Sequence, residues 1–324
     1  MIELRNVSKT YRIARREAGF KAAARALFNR EYTYLKALDQ VSFTIGDGEM
    51  VGYIGPNGAG KSSTVKVMSG ILTPDGGECR INGLTPWKDR KEHVKNIGVV
   101  FGQRSQLWWD VPVVDSFELI RDIYNIPPKD YKRNLEELTG LLNLSELLRT
   151  PARQLSLGQR MRCEISASLL HSPKILFLDE PTIGLDAVSK IAVRDFIRTI
   201  NRERKTTVIL TTHDMQDIEA LTQRILLIGK GRILLDGSLS DLKSRNSTHK
   251  TITAEFTRGE FGEEEGIRLK EKLNGRAVFV VDTRLIAVSE AIRKITEEAD
   301  ITDLSVEGAS TDDMVVSLYE EFKI

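Results

Sequence analysis

The chain has 324 residues, 41% hydrophobic and 29% charged, which suits one large or two ordinary domains with a real core and excludes a disordered chain. Lys and Arg number 47 against 46 Asp and Glu, and a net charge of +1 is too small for a protein that meets many duplex phosphates, so no nucleic-acid partner is expected. No apolar run nears the roughly 18 residues of a membrane span. The opening MIELRNVSKT lacks the apolar core of a secretory signal, and the lone Cys79 and Cys163, without metal-ligand spacing, suit a reducing cytosol.

From the start of the chain, IELRNV and VSFTI have strand composition. Between them lies a basic, alanine-rich segment, residues 12–36, with Phe20, Ala24, Leu27 and Phe28 at helical spacing. Two readings stand for it: an amphipathic helix on a membrane surface or membrane partner, with Arg15, Arg16, Lys21 and Arg25 as its basic face, or a solvated helix capping this protein's own sheet. The strand-like EMVGYI then runs into GPNGAGKSS, that is Gly55, Pro56, Asn57, Gly58, Ala59, Gly60, Lys61, Ser62 and Ser63. This is the phosphate-loop pattern G-x-x-x-x-G-K-[ST]. Its glycines let several N–H groups face one anion, Lys61 reaches the β- and γ-phosphates, and the Ser62 hydroxyl is placed to ligate Mg²⁺. The following KSSTVKVMSGIL reads as a helix whose positive end adds to the site.

The next strand, IGVVF, leads to Gln103, and from Gln103 to Leu155 the pattern changes to leucine-spaced helix with few β signals. An inserted helical subdomain, about residues 104–165, is expected there, with Trp108 and Trp109 in its core rather than in a partner-facing groove. Within it LSLGQ precedes the helical RMRCEISASLL and offers a serine, a glycine and a glutamine at a helix start. That is a second phosphate site in a chain that already has one.

ILFLDE places four apolar residues before Asp179 and Glu180. In a parallel α/β sheet the C-terminal strand ends line the ligand crevice, so Asp179 is placed to hold Mg²⁺ and Glu180 to polarise an attacking water. TTVILTTHD repeats the form and ends at His213, positioned to bond a γ-phosphate; His93, His171 and His249 have no such context. Short apolar strands alternating with helices such as VSKIAVRDFIRTINRER argue for a layered α/β domain. After about residue 240 a polar junction leads to TITAEF, AVFVV and ITDLSV, read as strands, and to STDDMVVSLYEEF, read as a helix capped by Ser310 with a stripe of Met314, Val315, Leu318 and Phe322. A small α/β accessory domain over residues 241–324 is expected.

Taken in order, these motifs resemble the nucleotide-binding subunits of ABC transporters. GPNGAGKSS resembles the Walker A loop, ILFLDE Walker B, IGLD with Asp186 the D-loop and TTHD the switch histidine. Gln103 is similar to the Q-loop glutamine, which in that family touches Mg²⁺ or water beside the membrane partner, and Tyr11 to the aromatic that stacks on adenine. LSLGQ resembles the family's signature, so Ser156, Gly158 and Gln159 are implied to meet ATP held by the opposite subunit. Leu157 stands where the usual motif has glycine; either its side chain points away from the triphosphate, or the site is degenerate and slow. The resemblance covers about residues 1–240 and implies a P-loop NTPase cassette, a mixed sheet with an inserted helical subdomain. It further implies ATP and Mg²⁺ as ligands, a head-to-tail homodimer, and integral membrane permease subunits that hold the chain at the cytoplasmic face of the membrane. Drug- and sodium-efflux ATPases are the branch it resembles most. An importer ATPase and a soluble ABC ATPase of translation or DNA repair are the alternatives.

Overall fold

The computed structural model describes residues 1–14, 32–102, 104–241, 249–262, 264–308 and 318–319. They form two compact units, residues 1–236 and 237–324. In the first, strands β1 (Ile2–Ala14) and β2 (Tyr32–Ile45) make an antiparallel ribbon, and β1 also pairs with β4 (Gly76–Ile81). Ala14 pairs with Tyr32, so the basic segment is inserted between two paired strand ends; residues 15–31 themselves lie outside the described residues. The strands run well past IELRNV and VSFTI, because the ribbon continues through Tyr11–Leu35 and Ile13–Thr33.

A second sheet of six strands has the order β5-β6-β7-β3-β8-β9. Its members are β3 (Met50–Ile54), β5 (Ile97–Phe101), β6 (Ile175–Asp179), β7 (Thr207–Thr211), β8 (Arg224–Gly229) and β9 (Arg232–Ser238). The pairs β5–β6, β6–β7, β7–β3 and β3–β8 are parallel, and β6, β7 and β8 are almost wholly buried, which is why they read as unbroken apolar runs. Helix α1 (Lys61–Met68) shares one core with both sheets: Val65, Val67 and Met68 join Leu4, Phe43, Tyr53, Phe177 and Ile209. The Tyr53 hydroxyl and Thr64 Oγ1 are 2.9 Å apart in that core.

The short helix α2 (Arg90–Val94) precedes β5. Between β5 and β6 come α3 (Val113–Tyr124), α4 (Pro128–Leu142) and α5 (Leu157–Leu169). Proline at the first position starts α4, and Asn125 and Asn143 stop α3 and α4 with φ of 51°, a left-handed turn that asparagine accepts readily. Trp108 and Trp109 are 58% and 50% exposed, against the expectation that they are core. Leu107, Val113 and Phe117 occupy that core instead, and Trp108 N donates to Ser116 Oγ at 3.0 Å. Helices α6 (Ala187–Arg204) and α7 (Met215–Leu221) follow β6 and β7.

The second unit is an antiparallel sheet, β11-β12-β10-β13, with one face covered by helix α8 (Val288–Glu298). TITAEF lies in β10 (His249–Gly259), AVFVV in β12 (Arg276–Asp282) and ITDLSV in β13 (Ala299–Gly308). Alternate residues Ile252, Ala254, Ala277, Phe279 and Val281 meet Ala291 and Ile295 of the helix. Strand β11 (Ile267–Leu273) and α8 go unread in the sequence: β11 carries a run of charges, and the α8 stripe of Val288, Ala291, Ile292 and Ile295 is a helical signal that was there to be found. Of STDDMVVSLYEEF only helical Leu318 and Tyr319 are described; Ser310, Met314, Val315 and Phe322 lie outside the described residues.

Candidate functional site: a phosphate loop and a separate signature helix

Strand β3 ends at Ile54 and the chain turns through Gly55–Gly60 into α1. A side chain at Gly55 would meet Ile228 O at 2.3 Å, and one at Gly60 would meet Ala37 O at 2.6 Å, with Gly60 also at φ 115°. Both glycines are therefore demanded by the walls of the loop, while Asn57 and Gly58 at its tip are exposed. Ala59 N donates to Pro56 O at 3.1 Å and closes the turn. No side chain caps α1, so its first N–H groups remain directed into the loop, as an anion site requires. Lys61 is only 7% exposed and donates to Gly55 O at 2.6 Å and Pro56 O at 3.2 Å. Burial holds its ammonium below the usual lysine range, against the pull of Glu180 and Asp179. Ser62 is exposed, and Ser63 is half-buried in the first turn.

Strands β6 and β7 bring the acids to that loop. Asp179 pairs with Thr211 in the sheet, and its Oδ1 accepts from Thr211 Oγ1 and, at 3.5 Å, from Ser62 Oγ. The next residue, Glu180, has φ 55° and donates its N–H to Thr211 O at 2.9 Å. That left-handed turn carries the Glu180 carboxylate to 3.3 Å from His213 Nδ1, with Glu180 20% and His213 61% exposed. Gly102 N donates to Asp179 O at 2.8 Å, and a Cβ there would meet Glu180 O at 2.4 Å, so the segment before residue 103 lies against the acid pair. Gln103 itself lies outside the described residues. Tyr11 is half-buried in the ribbon opposite Leu35, two residues from the Ala37 carbonyl that walls the loop. Thr211, which sequence reasoning passed over, is the hydroxyl that orients Asp179; the TTHD motif contained the signal.

Ser156, Gly158 and Gln159 lie elsewhere. Ser156 is the exposed N-cap of α5; its Oγ accepts from Gln159 N at 3.2 Å and its N–H donates to Gln159 Oε1 at 2.9 Å, a reciprocal capping box. Gly158 is buried, and a Cβ on it would meet Ser189 Oγ at 2.4 Å and Ser189 Cβ at 2.9 Å. Close approach by its own chain, at the start of α6, is thus what excludes a side chain there. Leu157 turns toward Gly184, whose built Cβ would lie 2.9 Å from Leu157 Cδ2. Asp186 caps α6, accepting from Ser189 N and Ser189 Oγ, both at 2.9 Å, and these bonds hold its carboxyl below the usual range. Among the described residues no hydrogen bond links Ser156, Gly158, Gln159 or Asp186 to the phosphate loop.

No group of three or more His, Cys, Asp or Glu side chains able to hold a metal occurs among the described residues. One carboxylate and one hydroxyl, Asp179 and Ser62, fit the habit of Mg²⁺, which takes few protein oxygens and leaves the rest to phosphates and water.

A glycine loop between a strand and a helix, its lysine, and an acid pair on a nearby parallel strand define a P-loop nucleoside triphosphatase. A family model described as ABC transporter matches residues 38–183. The chain is 30% identical over 215 residues to the ABC transporter ATP-binding protein NatA of Bacillus subtilis, covering 66% of this chain and 87% of that one. Identity is 33% to the daunorubicin resistance ATP-binding protein DrrA3 of Streptomyces coeruleorubidus, over 66% of this chain and 67% of that one. It is 34% to the methionine import ATP-binding protein MetN 2 of Enterococcus faecalis, over 65% and 62%. A solved ATP-binding cassette, dimeric in a post-hydrolysis state with ADP and Pi, superposes with a TM-score of 0.61 at 27% identity, covering 74% of this chain and 99% of that one. The chain belongs to the ABC transporter family, as an ATP-binding member, and ATP hydrolysis is the catalytic activity of its cassette.

Proposed function

We propose that this chain is the motor of an ABC exporter: two copies join head to tail around two ATP molecules and drive separate membrane-spanning subunits. The observation that carries the reading is the division of the site. The loop, Asp179, Glu180 and His213 form one cluster, while Ser156 is exposed at the start of a helix and its described side-chain bonds go only to Gln159. Each chain then holds two half-sites, and a twofold pairing completes both. The dimeric form of the solved cassette supports this arrangement.

In this reading Lys61 leaves the Gly55 and Pro56 carbonyls for the β- and γ-phosphates, and the loop N–H groups neutralise the same charge. Ser62 and Asp179, with Gln103, would hold Mg²⁺, which would supply further neutralisation of the phosphate oxygens. Glu180 takes the proton of the attacking water and His213, beside it, orients that water. Tyr11 stacks on the base, and Ser156, Gly158, Gln159 and Asp186 act across the interface. ATP binds the closed pair better than the open one, so binding closes it and hydrolysis releases it.

Among the described residues no helix is long and apolar enough to cross a membrane; in this reading separate subunits supply the crossing. Exposed Trp108 and Trp109, following residue 103, are the surface we assign to such a partner at the cytoplasmic face. Residues 237–324 are an accessory unit. Export is favoured by the relative named for drug resistance; the relative named for methionine import marks the alternative.

The test is a pull-down of the Glu180→Gln chain with ATP from detergent-solubilised membranes. Co-purification of an integral membrane protein at fixed stoichiometry supports the transport reading, and that partner's ligand sets direction. Recovery with ribosomes or DNA and no membrane protein overturns it. Glu180→Gln is expected to bind ATP normally and lose at least ~100-fold in turnover.

A further inference from the structure

The segments that carry Glu180 and His213 are joined below their side chains. Asp217, the third residue of α7, is 0% exposed. A carboxylate so buried needs several donors. Arg194 Nε of α6 donates to its Oδ1 at 2.5 Å. Thr182 Oγ1 and, at 3.3 Å, Thr212 Oγ1 donate to its Oδ2. Both threonines are 2% exposed, and Arg194 is 12% exposed. Thr182 comes two residues after Glu180, and Thr212 immediately precedes His213. Thr212 Oγ1 also accepts from Asp214 N at 2.9 Å, while Asp214 takes Lys190 of α6 as its ion-pair partner.

We propose that Asp217 is a positioning residue for ATP hydrolysis: it clamps the turn after Glu180 to the strand end before His213, so that those two side chains keep one mutual geometry. The proposal rests on the roles assigned above to Glu180 and His213. Stability alone is a weak reason for such a group, because a buried ion pair is often no better than apolar residues of the same volume. Its placement explains it better. Glu180 N is already tied to the end of β7 through Thr211 O, and Asp217 ties the same turn a second time through Thr182. With both ends of a three-residue stretch fixed to one strand end, the 3.3 Å approach of Glu180 to His213 is set by backbone and buried side chains rather than by that pair alone. Arg194 neutralises the clamp and anchors it to α6, the helix that Asp186 caps.

The sharpest test leaves the ion pair in place and removes one arm. Thr182→Val keeps the shape and the Arg194–Asp217 pair but loses the hydroxyl, and Thr182→Ser restores it. In the full-length chain, Thr182→Val is expected to lower kcat about tenfold and the Tm by a few degrees with the affinity for fluorescent mant-ATP little changed, and Thr182→Ser to recover most of both losses. The proposal is overturned if Thr182→Val turns over within about twofold of the parent, if Thr182→Ser is no better than Thr182→Val, or if lost turnover is matched by equally weakened mant-ATP binding. Glu180→Gln, measured alongside, separates the two claims. Full turnover in Glu180→Gln refutes the base assignment. A dead Glu180→Gln with an unaffected Thr182→Val refutes the clamp alone.

Discussion

Gly158→Ala probes why the signature helix begins as it does. An added methyl would sit 2.9 Å from Ser189 Cβ, where carbon atoms ordinarily keep about 3.5–4.0 Å. It would also lie 2.4 Å from Ser189 Oγ, which is bonded to Asp186 at 2.9 Å. Rotating the hydroxyl relieves the second contact and breaks the Asp186 bond; the first contact yields only if the starts of α5 and α6 separate. Overpacking of this kind costs about 1–3 kcal/mol, offset by at most ~1 kcal/mol of helix propensity, for a net loss near 1–2 kcal/mol. Trp87, Trp108 and Trp109 are the only three tryptophans and all lie in residues 1–236, so tryptophan emission during urea unfolding reports that unit alone. Ser189→Gly removes both offending atoms, so the double variant should regain at least ~1 kcal/mol relative to the sum of the single changes. If the two single costs simply add, or if Gly158→Ala is as stable as the parent, the contact is not what requires glycine.

Ser156→Ala should cost about 1 kcal/mol of stability through the lost cap. Mixed with a Lys61→Ala chain it should hydrolyse ATP faster than the average of the two separate preparations, because a head-to-tail hybrid regains one intact site; a simple average would refute that pairing. Burial pushes His171 down to about 4, only partly opposed by the bond its Nε2–H donates to Ile97 O at 2.9 Å, and Nδ1 is buried without a partner. The unfolded chain therefore binds the extra proton between about pH 6.5 and 4, and stability falls as pH falls through that window. Between pH 7.5 and 5.5 the loss from this group is about 1.3 kcal/mol. Urea titrations of His171→Gln should show a shallower pH slope, and an unchanged slope would exclude His171 as its source.

The motif-bearing strands were legible because parallel strands buried on both faces must be short and apolar: EMVGYI, IGVVF, ILFLD and TTVILTT fall on β3, β5, β6 and β7. The loop glycines were legible as an anion cradle, but not the reason each is glycine, since Ile228 and Ala37 approach from distant parts of the chain. Gly158 shows the same limit: its neighbour Ser189 lies 31 positions away in sequence, and no local pattern announces it. Trp108 and Trp109 misled because aromatic bulk signals burial without saying whether the covering surface belongs to this chain. Asp217 was invisible for another reason. In THDMQDIEAL it looks like any acid in a first helical turn, and only the fold brings Arg194 and Thr182 to it.

Glu180 sits at φ 55°, in a conformation that suits glycine or asparagine and costs other residues on the order of 1–3 kcal/mol. With Glu180 as the base proposed above, stability and turnover pull on this one position in opposite directions. A library of this chain selected only for surviving heat would be drawn toward glycine or asparagine at 180, and its fittest members would be rigid cassettes that hold ATP and do not split it. Any effort to harden the protein has to keep residue 180 under a separate selection for hydrolysis.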